Sequence, residues 1–326
     1  MADLVMGSVL VTGAYGLLGS WLAKALLDQG ARVTVLRRDD APASALTLEG
    51  TEARCTVVRG DVRDLELLDR VLGEEEVDTV FHLAAQTIVG TVQRSPLSTW
   101  ETNVRGTWVL LEACRRHEIA RVVVASSDKA YGSHDDLPYR EDHELRARFP
   151  YDASKACADI VARSYFHSYG LPVAVTRFAN LYGGGDLNAS RLIPESVAAA
   201  LAGRAAVIRS DGTPERDFLY VEDAVAAYLA IAAALDGEGA RGEAFNAGSG
   251  RSWAVREIVE LVCRAAGSDL DPDVRGGGTP AGEIDRQWVD PARLRALTGW
   301  APQVELADGI ERTVAWYRRH SEALAG

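Results

Sequence analysis

Tyr151 and Lys155 lie four residues apart in the run Pro150-Tyr151-Asp152-Ala153-Ser154-Lys155. A helix that starts near Pro150 puts both side chains on one face, one turn apart. An ammonium beside a phenol favours the phenolate and lowers the tyrosine pKa. Such a phenolate can take a proton from a substrate hydroxyl. Upstream stands Ser126-Ser127-Asp128-Lys129-Ala130-Tyr131-Gly132, and the Ser127 hydroxyl can hydrogen-bond the same oxygen. Removing that proton is half of an alcohol oxidation. The other half needs a group that accepts hydride.

The start of the chain provides for one. Gly13-Ala14-Tyr15-Gly16-Leu17-Leu18-Gly19 follows a valine-rich run and opens a helical pattern. Glycines there let the backbone turn sharply and approach a pyrophosphate, which meets the N–H groups at the helix start. The strand–turn–helix context predicts a nicotinamide dinucleotide. Leu36 ends the next apolar run and is followed by Arg37, Arg38, Asp39 and Asp40. An acid at this place binds the ribose 2′-hydroxyl, whereas an arginine accepts a 2′-phosphate. Arg37 and Arg38 tilt the expectation from NAD toward NADP, and Asp39 keeps NAD open.

The elements that must position these groups are legible as alternation. Strands are expected at 8–12, 32–36, 56–58, 79–83, 121–125 and 173–178. Helices are expected at 17–29, 64–72, 99–117 and 151–169. Apolar strands joined through helices imply a parallel sheet covered on both faces. Beyond residue 178 the pattern is irregular, with helices expected at 195–201, 222–235 and 307–320. A further strand at 244–247 is expected to return to the main sheet, and 276–280 reads as a glycine turn.

Composition narrows the function class. The 326 residues are 47% hydrophobic and carry a formal net charge of −12. That is enough chain for one large core with an attached lobe. The acidic balance argues against nucleic acid and anionic membranes as partners. The six histidines show no metal-ligand spacing, so no metal is expected. Cys55, Cys114, Cys157 and Cys263 form no C-x-x-C pair and read as free thiols in a reducing cytoplasm. The first residues lack the pattern of a signal peptide.

The Gly-x-x-Gly-x-x-Gly turn, the serine and the Tyr-x-x-x-Lys pair together resemble the extended short-chain dehydrogenase/reductase family. Within it they resemble the NDP-sugar epimerases and dehydratases. The resemblance implies an α/β fold: a Rossmann-type doubly wound parallel sheet with a smaller C-terminal substrate-binding lobe. Residues 1–180 would hold NAD or NADP, with 244–250 rejoining that sheet, and 181–326 would hold the nucleotide sugar. Implied cofactor contacts, besides the three glycines, Arg37, Tyr151 and Lys155, are Tyr15, Leu17, Leu18, Asp61, Val62, Leu83, Ala84, Ala85 and Phe178. Asp61 would meet the adenine amino group. Small residues after the fourth strand would let the nicotinamide pass. Implied substrate contacts are Gln86, Asn180, Arg191, Arg209 and Arg216. Asn180 and Arg216 would meet the diphosphate, and Arg209 would stand over the base.

Asp128-Lys129 refines this resemblance. Simple 4-epimerases carry small or neutral residues after the serine, whereas 4,6-dehydratases carry an acid and then a base. Asp-Lys is similar to the CDP-glucose 4,6-dehydratases and to some UDP-GlcNAc inverting dehydratases. Gly19-Ser20-Trp21-Leu22, His82-Leu83-Ala84-Ala85-Gln86, and Gly184-Gly185-Asp186 leading to Arg191-Leu192-Ile193-Pro194 resemble the CDP-glucose group. The implied reaction oxidises C4. Lys129 then takes the C5 proton, Asp128 protonates the departing C6 hydroxyl, and hydride returns to C6. A 4-keto-6-deoxy sugar nucleotide results. The alternatives are a 4-epimerase, which needs only Ser127, Tyr151 and Lys155, and a noncatalytic dinucleotide-binding sensor or scaffold. Relatives pair two subunits through helices matching 99–117 and 151–169, so a homodimer is expected.

Overall fold

A computed structural model describes residues 6–87, 95–279 and 283–324. The first five residues and the Pro280 end of the glycine turn lie outside them. Seven strands form one parallel sheet: β1 (Ser8–Thr12), β2 (Arg32–Arg37), β3 (Thr56–Arg59), β4 (Thr79–His82), β5 (Arg121–Ala125), β6 (Val173–Phe178) and β11 (Ala244–Ala247). Their order across the sheet is β11-β6-β5-β4-β1-β2-β3. This is the doubly wound order 3-2-1-4-5-6 with one strand added at the β6 edge. That added strand is the late segment expected to return, and Ala244 lies beside Val175.

Alternation along each strand feeds two cores, because successive side chains leave opposite faces. Val9 and Val11 of β1 join Val33, Val35 and Phe81 under the helices Leu17–Asp28 and Val221–Ala234. Leu10 joins Val80, Val122, Val124 and Val173 under the helices Leu65–Glu74, Gly106–Arg116 and Pro150–Tyr169. Both faces are thus covered, and β1, β4 and β6 are buried along their whole length.

The remaining chain builds a lobe around a third core. Ile193 and Val197, Ile258 and Val262, and Ile310 and Val314 meet there from the helices Leu192–Leu201, Val255–Ala266 and Leu306–Arg319. Short strands form three small sheets apart from the large one: β7 (Asn180–Tyr182) with β10 (Phe218–Tyr220), β8 (Val207–Ile208) with β13 (Asp273–Val274), and β9 (Glu215–Arg216) between β12 (Trp253–Ala254) and β14 (Arg286–Gln287). The helix expected at 99–117 is three consecutive pieces. Pro96–Trp100 and Gly106–Arg116 are α-helical, and Glu101–Arg105 is a π-turn. Such turns widen a helix by one residue and re-aim the side chains inside them.

Candidate active site

The chain leaves β1 through Gly13 at φ +74°, where an added Cβ would sit 2.7 Å from Ala84 N. Gly19 is equally constrained, since a Cβ there would meet Gly13 O at 2.2 Å. The turn therefore presses against the end of β4 and the helix presses against the turn. Gly16 caps that helix without a side-chain hydrogen bond. Leu17 is buried in the lobe core and Leu18 packs against it. Gly13, Tyr15, Gly16, Arg38, Asp39, Asp61, Val62, Ala84 and Ala85 line one groove at the switch point between β1 and β4. Such crevices are where open α/β sheets bind ligands. The close-packed glycines, the helix start and the two acids fit a dinucleotide there.

Leu17, Leu18, Leu83, Phe178 and Arg37, also expected at the cofactor, are not in that lining. Phe178 is 6% exposed and packs edge-on to Tyr228 in the core. Leu83 also packs against the core. Arg37 lies over the Tyr15 ring and is held by two carboxylates. Its guanidinium donates to Glu52 Oε1 at 2.9 Å and pairs with Asp40, while Tyr15 Oη donates to the same Glu52 oxygen at 2.7 Å. Two carboxylates thus neutralise the arginine that favoured a 2′-phosphate.

The catalytic candidates converge where β5 meets the helix Pro150–Tyr169. Lys155 is 5% exposed and donates from Nζ to Ala125 O at 2.8 Å. Burial pushes its pKa down to about 8. Ser126 Oγ locks the helix to the strand end through Lys155 O at 3.0 Å. Tyr151 departs from expectation, because burial pushes its phenol up to about 12. The charge of Arg191 and the Ser127 hydroxyl oppose this, and the carboxyls of Asp128 and Asp152 add to it. Lys155 spends its proton on a backbone carbonyl, so desolvation wins over the expected ammonium effect.

Asp128 is 2% exposed, and burial raises its pKa to about 7, against the lowering effects of Lys129 and Ser127. Ser127 Oγ donates to Asp128 Oδ1 at 3.1 Å, and Oδ2 has no hydrogen-bond partner. Lys129, half-buried, acts electrostatically on both Asp128 and Asp152. The cluster therefore holds an acid that is partly protonated near neutral pH, an amine and a phenol, all beside the mouth of a dinucleotide groove.

Residues 9–248 match, by sequence, the "NAD dependent epimerase/dehydratase family". The chain belongs to that family. A dTDP-glucose 4,6-dehydratase of Streptomyces griseus is 35% identical over 320 residues, covering 96% of this chain and 94% of that protein. The dTDP-glucose 4,6-dehydratase of Streptomyces venezuelae, solved with NAD and TYD bound, superposes with a TM-score of 0.86 at 34% identity. That match covers 96% of this chain and 97% of the other. A UDP-glucose 4-epimerase of Thermotoga maritima, solved with UDP-glucose, gives 0.87 at 28% identity over 96% and 99% of the two chains. The family thus includes both reactions named among the expectations, and the chain is similar to members of each kind.

The three arginines expected on the substrate side of this family member each have a carboxylate partner. Arg191 pairs with Asp186 at 3.0 Å, Arg209 with Glu195 at 2.6 Å and Arg216 with Glu283 at 3.1 Å. Arg191 also acts on Tyr151, which puts it beside the catalytic cluster. Arg209 is 62% exposed, in the lobe. Asn180 Nδ2 donates to Asp217 O at 3.2 Å, beside Arg216. Gln86 donates from its backbone to Asn103 Oδ1 at 2.7 Å and accepts Asn103 Nδ2 at 3.2 Å.

Four residues join the site that sequence reasoning did not assign. Asn103, in the π-turn, also donates to Ser154 Oγ at 2.9 Å and so ties the groove floor to the Tyr151 helix. Asp152 is a second buried carboxyl with a pKa raised by burial. Asp217 is raised to about 6 by burial, and its carboxylate accepts Ser249 N, Ser249 Oγ and Val289 N. Gln287 lies against Asp128. Asn103 and Asp152 flank the motifs that were read. Nothing local marks Gln287, which comes from a two-residue strand far along the chain.

Proposed function

We propose that this chain is an NDP-hexose 4,6-dehydratase that uses NAD. One observation carries the reading: Asp128, a buried carboxyl with a pKa near 7 and an open Oδ2, stands beside Lys129 and Tyr151. A carboxyl kept neutral near pH 7 is a proton donor. Exchange of configuration at C4 has no step that uses one, whereas loss of a C6 hydroxyl does.

The groove around Gly13, Gly16, Asp39, Asp61 and Ala84 would hold the dinucleotide, which when bound supplies the reversible hydride acceptor. Tyr151 receives the C4 hydroxyl proton as a phenolate, a form that the positive ring of a bound nicotinamide would favour against burial, and Ser127 orients that oxygen. A C4 ketone acidifies the C5 hydrogen, which Lys129 removes. Asp128 gives its proton to the C6 oxygen as the C6–O bond breaks, and water leaves. Lys155 is buried under this cluster and fixes the end of β5 through Ala125. Arg191 and Arg216 would trade carboxylate partners for the diphosphate, a match to guanidinium geometry.

NAD is preferred over NADP because Arg37 is closed off by Glu52 and Asp40, while Arg38, which lines the groove with Asp39, is already paired with that carboxylate at 2.6 Å. A carboxylate there accepts from a ribose diol and repels a phosphate. The chain also acts as a homodimer in this reading. Leu97, Trp108 and Ile160 are 70%, 51% and 60% exposed on the helices Pro96–Trp100, Gly106–Arg116 and Pro150–Tyr169. Apolar side chains this exposed on neighbouring helices mark an interface.

Incubation with dTDP-, UDP- and CDP-glucose in the presence of NAD tests the reading and selects the base. A 4-keto-6-deoxy product, seen by its absorbance in alkali, is expected. A C4 epimer as the sole product from all three would reject it.

A further inference from the structure

We propose that Gln287 is a positioning residue for the acid: its amide holds Asp128 Oδ2 toward the departing hydroxyl and follows the proton. Before transfer, Gln287 Oε1 accepts from the carboxylic acid. After transfer, Nε2 donates to the carboxylate. The inference rests on the dehydratase reading above. The protons balance over a turnover: Lys129 takes the C5 proton and returns it to C5 as hydride enters C6, the Asp128 proton leaves with the C6 oxygen as water, and the proton that Tyr151 took from the C4 hydroxyl restores Asp128 by way of solvent.

Gln287 is fully buried, yet neither Nε2 nor Oε1 completes a hydrogen bond of normal geometry. The facing Asp128 Oδ2 is in the same condition. Such atoms are rare because a buried polar group without a partner destabilises the fold. Seven are found among the described residues, and three of them lie in this one pair. The backbone has no such slack. Gln287 O accepts Asp217 N at 3.0 Å, and the residue sits in register with Arg216. Strand pairing therefore fixes where the side chain begins and leaves only its amide free to turn.

An apolar side chain of equal size would suit a structural role better. The amide is felt by its neighbour, because Gln287 draws the Asp128 pKa downward against burial. The other groups facing Asp128 are Lys129 and Ser127 on its own turn, Asp217 before β10, Tyr139 and Tyr151. Lys129, Asp217 and the two tyrosines carry or can acquire charge. Ser127 already bonds Oδ1, so Gln287 is the neutral group that can serve Oδ2 in both protonation states.

Gln287→Leu tests this, with Gln287→Glu as a second variant of matched size. Carboxyl titration followed by difference infrared spectroscopy, with Asp128→Asn to assign the band, should show the Asp128 pKa rising by about one pH unit in Gln287→Leu. The alkaline limb of kcat for the 4-keto-6-deoxy product should move up equally, with kcat falling about tenfold or more and KM little changed. Gln287→Glu should raise the Asp128 pKa further, since two adjacent carboxyls resist double ionisation. Thermal denaturation should show Gln287→Leu at least as stable as the parent chain, which separates positioning from folding. An unchanged Asp128 titration and an unchanged pH profile in folded Gln287→Leu would overturn the inference. A parent chain that makes no 4-keto-6-deoxy sugar would instead overturn the function it rests on, while the titration would still report on the contact.

Discussion

Asp128 illustrates how one side chain couples chemistry to stability. Its folded pKa of about 7 lies above the value of an unfolded aspartate. Both states are neutral well below pH 4, so the group is then harmless. As pH rises from about 4 toward 7 the unfolded chain gives up this proton first, and stability falls. The loss is at most on the order of 4 kcal/mol at pH 8, from about 1.4 kcal/mol per pH unit. Asp128→Asn should therefore melt higher than the parent chain at pH 8, with the gap closing toward pH 5 in calorimetry. The same variant should lose dehydration while any C4 epimerisation survives. Tyr151→Phe removes the group that handles the C4 proton, so both reactions should fall 10²–10⁴-fold in kcat. Asp39→Ala should weaken NADH binding about 10-fold or more and narrow the gap to NADPH, by fluorescence titration, through loss of a charged hydrogen-bond acceptor.

At the scale of elements, the Tyr151 helix is held by a buried ion pair. Arg177 of β6 donates to Asp159 through Nε at 2.7 Å and Nη2 at 3.0 Å, with side-chain exposures of 2% and 0%. Arg177 also donates to Tyr131 Oη and Glu141 O, which binds the segment after Asp128 to the same point. Asp159→Ala strands the guanidinium in the interior and should cost about 3–5 kcal/mol in denaturant unfolding. Elements of this kind divide by how locally they are encoded. β1, β5, β6 and β11 were readable residue for residue, because a strand buried on both faces is a short run dominated by apolar residues. The π-turn at Glu101–Arg105 was not, since its sequence is that of an ordinary helix. The helix Val255–Ala266 also escaped, although Ile258, Val259, Val262 and Cys263 form a clear buried face. It lies in a stretch of short strands and turns whose irregularity hides a three-turn period.

For the whole molecule, the unpartnered apolar face across the helices Gly106–Arg116 and Pro150–Tyr169 sets the expected assembly. Trp108 and Ile160 remain exposed, as does Tyr169, whose ring lies 5.4 Å from the Arg115 guanidinium. Replacing both Trp108 and Ile160 with Glu should turn the proposed dimer into a monomer in sedimentation. The fold should stay intact by circular dichroism, because neither side chain contributes to the chain's own cores.

Adjacent residues and residues one helical turn apart keep their relation in any fold that forms the helix. Tyr151 with Lys155, Ser127 with Asp128 and Lys129, and Gly13 with Gly16 and Gly19 were therefore present as chemistry in the bare sequence. Burial is a property of everything packed around a group. Only the folded chain could decide that Tyr151 is raised, that Asp128 stands near pH 7 and that Arg37 turns to Glu52. Gln287 meets Asp128 across a separation of more than a hundred and fifty residues. No local spacing encodes that contact, because the pairing of β14 with β9 creates it.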